Sequence, residues 1–195
     1  MKLASLEENV MSKCKKLIIL FAGIAIAPFT YANDQLSIDA SIIIPKEEVD
    51  STLLQGLSNI AGDRSVSDIV VRHIDVGEEY LGVSVVQRDK VDVRETETGI
   101  AHIALDEIYY IVAGEGTMVT GGQFNDPTEI SSALLGDMLR GEILGGTLQP
   151  VKVGDIAIIP KGMPHGWHEI KTDKISYIIF RADPTEEMAI KNNPD

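Results

Sequence analysis

The sequence predicts an all-β fold, a sandwich or barrel of short strands preceded by an N-terminal arm and one short helix. Three observations predict it. From residue 68 onward, short apolar runs recur between Gly, Pro and Asp. The run Gly154-Asp-Ile-Ala-Ile-Ile-Pro-Lys-Gly-Met-Pro-His165 reads as an apolar strand entered from a Gly-Asp turn and left through a Pro/Gly turn that delivers a histidine. The run His102-Ile-Ala-Leu-Asp-Glu107-Ile-Tyr-Tyr-Ile-Val-Ala-Gly114 sets a histidine and a carboxylate just before another apolar strand.

The elements follow in order. Lys13, Lys15 and Lys16 precede an apolar stretch from Leu17 to Phe29, and Thr30-Tyr31-Ala32 ends it on small residues. This is the pattern of a cleaved export signal over residues 1–32, with cleavage near Ala32. Glu7 and Glu8 precede that pattern, which properly starts at Met11; the reading takes Met11 as the true initiator. A periplasmic or secreted protein is expected, with no membrane attachment once the signal is removed. Residues 33–67 form an arm and a helix. The arm, Leu36 to Pro45, is extended or a first strand. Over residues 46–61, Val49, Leu53, Leu54, Leu57 and Ile60 recur at the helical period, and Gly62 is a stop.

Strands are predicted at 69–74 and 80–86 around the turn Asp75-Val-Gly-Glu78, then at 107–113, 116–120, 148–153, 155–160, 165–171 and 175–182. Residues 121–147 open on Gly121-Gly122, contain Asn125-Asp126-Pro127 and close on Gly145-Gly146. They read as a long excursion with at most one helical turn, and loops of this length are commonly functional. The barrel is expected over 68–183, with a tail at 184–195.

The net charge is −13, from 17 basic and 30 acidic residues. Removing residues 1–32 leaves 13 basic and 28 acidic residues, a balance of −15. Such a surface repels nucleic acid and anionic lipid, so a nucleic-acid partner is excluded. The single cysteine, Cys14, lies in the signal, so the exported chain holds no disulfide.

The two histidine-bearing runs resemble the two motifs of the cupin superfamily. Gly154, Pro160, Gly162 and His165 stand at the spacings of its second motif, whose terminal Asn is replaced here by Glu169. Glu107 and Gly114 match the first motif, and His102 takes the place of its second histidine. The first histidine falls at Ile100 and the leading glycine at Arg94, two departures. The segment after Glu107 looks like that of small bacterial single-domain cupins. The resemblance implies a double-stranded β-helix, or jelly-roll, barrel.

It also implies a divalent metal, Fe, Mn, Zn or Ni, held by His102, Glu107 and His165. Two imidazoles and a carboxylate suit non-haem Fe(II), and Zn or Mn with less selectivity. Loss of the ligand at Ile100 lowers affinity unless His73, Gln87 or His168 compensates. Strand alternation turns His168 away from His165, which argues against His168. Plainer roles compete. His102 could cap a strand end, Glu107 could pair with Arg88 or Arg181, and His165 could serve its turn.

Tyr109 and Tyr110 face opposite sides of one strand, one core and one rim or interface. Trp167, Met118 and Met163 are packing residues. Three functions follow. One is a metal-dependent enzyme, by family analogy a dioxygenase or isomerase. Another is a barrel that binds a small metabolite without chemistry, a reading Ile100 favours. The third is an interaction protein that uses the arm and helix of residues 33–61 to dimerise or to dock elsewhere. A small-molecule ligand and a homodimer are the expected partners.

Overall fold

The computed structural model describes residues 40–62 and 64–192. The expected export signal, the start at Met11, Cys14 and arm residues 33–39 lie outside them. Residues 41–45 carry no regular structure, so this part of the arm is not a strand. Among the described residues no helix is long and apolar enough to cross a membrane.

Among the described residues, one helix, α1 (Lys46–Gly62), is followed by ten strands. Pro45 begins α1: its carbonyl accepts the Glu48 and Val49 amides, and Glu47 and Glu48 favour the positive end of the helix dipole. The helix lies on the outside of strands β1 (Val66–Asp75) and β2 (Tyr80–Val91). It does so through a small face, Thr52, Gly56 and Ile60, rather than through its leucines. Leu54 stays 67% exposed. Gly56 sits against the Gln87 side chain, whose amide donates to the Leu53 carbonyl at 2.8 Å. Arg72 pairs with Glu48 to fix the helix end (Nη2 to Oε2, 2.8 Å). Close packing on polar contacts thus overrides the apolar stripe.

The remaining strands are β3 (Thr98–His102), β4 (Asp106–Ala113), β5 (Glu115–Thr120), β6 (Gln123–Ser132), β7 (Gly136–Leu144), β8 (Thr147–Lys152), β9 (Ile156–Ile159) and β10 (His165–Asp183). Every pairing is antiparallel. The spine is β10, whose 19 residues serve both halves of a jelly-roll barrel. Its N-terminal part lies between β3 and β5, and its C-terminal part between β2 and β4. A register shift between Ile170 and Lys174 marks the passage from one half to the other. Between the halves, Tyr109, Ile111, Met118, Trp167, Ile170, Ile175, Tyr177 and Ile179 form the core.

Two regions differ from the sequence reading. Residues 121–147 are mainly the hairpin β6–β7, paired edge to edge with β3. Most of β6 is exposed on both faces, so its sequence lacks the alternation that betrays a half-buried strand. Strand β3 is five residues long and contains a glycine, which hid it too. The two strands expected at 165–171 and 175–182 are one.

Candidate metal centre

The second motif's turn is built onto the strand end that carries His102. Pro160 closes it by accepting the Met163 amide at 3.1 Å. Gly162, at φ +76°, takes the left-handed step that a side chain would resist, and its amide donates to the His102 carbonyl at 2.7 Å. Asp106 accepts the Lys161 amide at 2.9 Å. Two residues past Met163, β10 begins at His165, opposite Ile100 of β3. The sequence thus brings two histidines together through backbone bonds and the Asp106 carboxylate.

Glycine sets how closely the strands approach. A Cβ on Gly99 would lie 2.1 Å from the His165 carbonyl oxygen, and one on Gly166 2.2 Å from that of Thr98. Neither position tolerates a side chain without moving β3 off β10.

His102, Glu107 and His165 are all buried, and each presents one ligand atom within 4.8 Å of the others. Each imidazole is oriented from behind. His102 Nδ1 lies 3.0 Å from the Leu135 carbonyl, in the turn between β6 and β7. His165 Nδ1 lies 3.0 Å from the Met163 carbonyl. A carbonyl only accepts, so both Nδ1 atoms carry a proton and both Nε2 atoms face inward, where a neutral imidazole presents its lone pair. Backbone partners of this kind are the usual support of metal-bound histidines.

Glu107 comes from the inward face of β4. Its Oε1 accepts from Arg181 Nε at 2.8 Å and its Oε2 from the Tyr109 hydroxyl at 3.0 Å. Arg181 also binds Asp68 and Ser84, each at 2.8 Å. Burial pushes the Glu107 carboxyl up, but Arg181 and then the two imidazoles outweigh it and hold it at about 2. Burial pushes the His165 imidazole down, against the pull of Glu107, which favours the neutral, ligating form. Burial, then the Glu107 charge, pushes the Tyr109 phenol up, so it remains a donor.

The spacing fits an ion. His102 Nε2 stands 3.5 Å from Glu107 Oε1 and His165 Nε2 3.5 Å from Glu107 Oε2, long for a hydrogen bond, and His165 Nε2 also lies 3.3 Å from the Tyr109 hydroxyl. Two ligands ~2.1 Å from one ion stand about 3.0–3.4 Å apart at tetrahedral or octahedral angles, so the trio, with one ligand atom each inside 4.8 Å, would draw in slightly around an ion. The simple ion-pair role for Glu107 is also met, since Arg181 satisfies one oxygen. Arg181 was a candidate partner in the sequence; Arg88 instead donates to the Tyr177 hydroxyl at 2.8 Å.

Of the compensating ligands considered, none joins the cluster. His168 Nδ1 lies 2.5 Å from Glu97 Oε1. His73 faces the C-terminal segment, with Nδ1 2.8 Å from the Ala189 carbonyl. Gln87 faces α1. Ile100, two residues before His102 on the same strand face, lines the cavity beside the cluster.

That cavity has a volume of about 930 Å³ and opens between β3, β7 and the N-terminal part of β10. Tyr109, Met118 and Trp167 form part of its wall, so these core residues also face the cavity. Tyr109 is the residue whose contact with the site the sequence did not disclose. Its phase, two residues after Glu107 on β4, was the available signal.

No protein-family model matches the chain, and no curated protein sequence matches it significantly. Solved structures do resemble it. KdgF from Halomonas sp. is 16% identical, over 64% of this chain and 84% of that one, with a TM-score of 0.41. EutQ from Clostridium difficile is 15% identical, over 62% and 69%, with a TM-score of 0.38. BH2720 from Bacillus halodurans is 16% identical, over 79% and 90%, with a TM-score of 0.42. At these identities and scores the likeness says nothing of what this chain binds or does.

Proposed function

We propose that this chain, a cupin by its two motifs and its jelly-roll barrel, holds one divalent metal at His102, Glu107 and His165 and acts on a small molecule in the adjoining cavity. A dioxygenase or isomerase is the reaction class we favour. One observation supports the metal above all: two backbone-oriented imidazoles turn their Nε2 atoms toward one buried carboxylate at 3.5 Å, with the Tyr109 hydroxyl, among the described residues, the one other polar group within reach of either Nε2, 3.3 Å from that of His165. A metal bound there supplies Lewis acidity or oxygen activation. The protein's own part is to keep Glu107 charged through Arg181, to hold a proton at the Tyr109 hydroxyl, and to shield the cluster behind Ile100 and Trp167. Elemental analysis of wild type beside His165→Ala tests this. About one equivalent of metal in the first and a loss in the second are expected; equal content in both would end the assignment.

A second reading is favoured by Ile100, which puts an apolar side chain where a fourth ligand would stand. There the barrel binds a small metabolite without chemistry, using the same polar trio as hydrogen-bond partners. Thermal stabilisation by ligands in chelator-treated protein favours this reading; stabilisation only with metal present favours the first.

We further propose export of the chain and its pairing as a homodimer. Export is supported by the basic, apolar and small-residue pattern of residues 13–32. Pairing is supported by one apolar outer face. Ile108, Tyr110, Ile156, Ile158 and Phe180 are all more than a third exposed, and the registers Ile158↔Ile108 and Ile108↔Phe180 set three of them side by side.

A further inference from the structure

The cavity beside the metal cluster is basic in a strongly acidic protein. The sequence contains six arginines. Arg72 and Arg181 are spent in ion pairs with Glu48, Asp68 and Glu107. Arg88, Arg94 and Arg140 line the cavity, and among the described residues none of the three forms a close ion pair with a carboxylate, Asp68 acting on Arg88 only from farther off.

Two of them are positioned with their terminal nitrogens unspent. Arg88 donates from Nε to the Tyr177 hydroxyl, and Tyr177 stacks on Tyr109 at 4.8 Å. Arg94 donates from Nε to the Trp167 carbonyl at 3.0 Å, and its backbone amide donates to the His168 carbonyl at 3.1 Å. It is therefore pinned to β10 two residues from His165. In both, the Nε is fixed by a neutral acceptor while the Nη pair has no hydrogen-bond partner in the described residues. A guanidinium held this way offers its remaining donors to a planar oxyanion.

Acidic groups also line the cavity, Asp126 and Glu142. Register places Glu142 opposite Thr98 and Arg140 opposite Ile100, while His102 faces Met138. Along this face Arg140 is one residue pair from the cluster and Glu142 two, about 7 Å farther out. Positive charge therefore lies toward the metal cluster along β7 and negative charge toward the outer end.

We propose that the cavity selects small organic anions, with the oxyanion group bound by Arg88 and Arg94 and the reacting part of the molecule directed toward His102, Glu107 and His165. This rests on the small-molecule reading of the site and names its substrate class. It is independent of whether the metal is catalytic. Carboxylate and phosphate share the recognising chemistry, so both are probes.

The test titrates full-length, chelator-treated protein with malonate, inorganic phosphate and neutral malonamide, following Trp167, the single tryptophan, which lines the cavity. Removing metal ensures that an anion cannot report by ligating it. Saturable change with malonate or phosphate and none with malonamide is expected, and the better of the two identifies the oxyanion. Arg94→Gln and Arg88→Gln should each weaken binding at least tenfold, while Lys90→Gln, an exposed control, leaves it unchanged. Arg94 is exposed, so its variant keeps the fold even if the Arg88 variant does not. Equal response to malonamide, or unchanged anion binding in Arg94→Gln, overturns the proposal. Metal content measured on the untreated proteins separates the two readings: wild-type metal in untreated Arg94→Gln, with unaltered anion binding after chelation, sinks the anion site alone.

Discussion

Gly99 lies so near the backbone of His165 that a methyl group on it would sit 2.1 Å from the His165 carbonyl oxygen. This contact, between residues 66 positions apart, sets the distance between the strands that carry the two imidazoles. Gly99→Ala must push β3 away from β10. A loss of about 1–3 kcal/mol in unfolding free energy is expected, as for other overpacked sites, together with reduced metal content. Gly62→Ala is the control, because a Cβ there meets nothing within 4 Å. Denaturant unfolding of both variants decides; equal stability would mean the close approach does not constrain the strands.

Glu107→Gln should cost about 3–5 kcal/mol, since it leaves Arg181 buried with one carboxylate fewer. The acid dependence has a definite sign. The folded carboxyl sits at about 2, below its ordinary value of 4.5, so its contribution is fully present above the ordinary value and is lost as pH falls toward the folded one. The stability gap between metal-free wild type and Glu107→Gln should be constant above about pH 5 and shrink from pH 4.5 toward 2. Urea unfolding at stepped pH measures it. A gap that stays level through that window would show that Arg181 does not hold the carboxylate ionised.

Much of this was legible in the sequence, for physical reasons that differ by element. Strands β4 and β9 are buried on one face and bounded by Gly, Pro and Asp, so they announce themselves. His102, Glu107 and His165 were named by the resemblance of the two histidine-bearing runs to known motifs, whose spacings they keep. The hairpin β6–β7 carries a polar, largely exposed first strand and gave no periodic signal, yet its turn supplies the Leu135 carbonyl that orients His102. The helix face was misjudged because Gly56 and Thr52 pack more closely than leucine can. Backbone partners such as the Met163 and Leu135 carbonyls have no residue type to betray them.

Ile100→His should strengthen metal binding. Ile100 follows the phase of His102 on β3, is paired in register with His165, and lines the cavity beside the cluster. An imidazole there adds a fourth donor on the same side of the ion. A gain on the order of tenfold in Zn affinity, about 1.4 kcal/mol, is expected in chelator competition. His168→Ala should leave affinity unchanged, because His168 is engaged by Glu97. An unaltered constant for Ile100→His would place the ion away from β3.

Ile158→Glu should separate the proposed dimer. Ile158 is 72% exposed on β9, paired with Ile108 of β4, which in turn pairs with Phe180 of β10. These side chains point away from the barrel interior, where Glu107, Tyr109 and Ile111 point inward. A charge on that face costs little in the monomer and several kcal/mol, of order 2–5, where it would be desolvated without a partner. Sedimentation of wild type at twice the chain mass, with Ile158→Glu at the single mass and an unchanged circular-dichroism spectrum, is the expected result. A wild type that already sediments as one chain would remove the dimer and leave the apolar face for another partner.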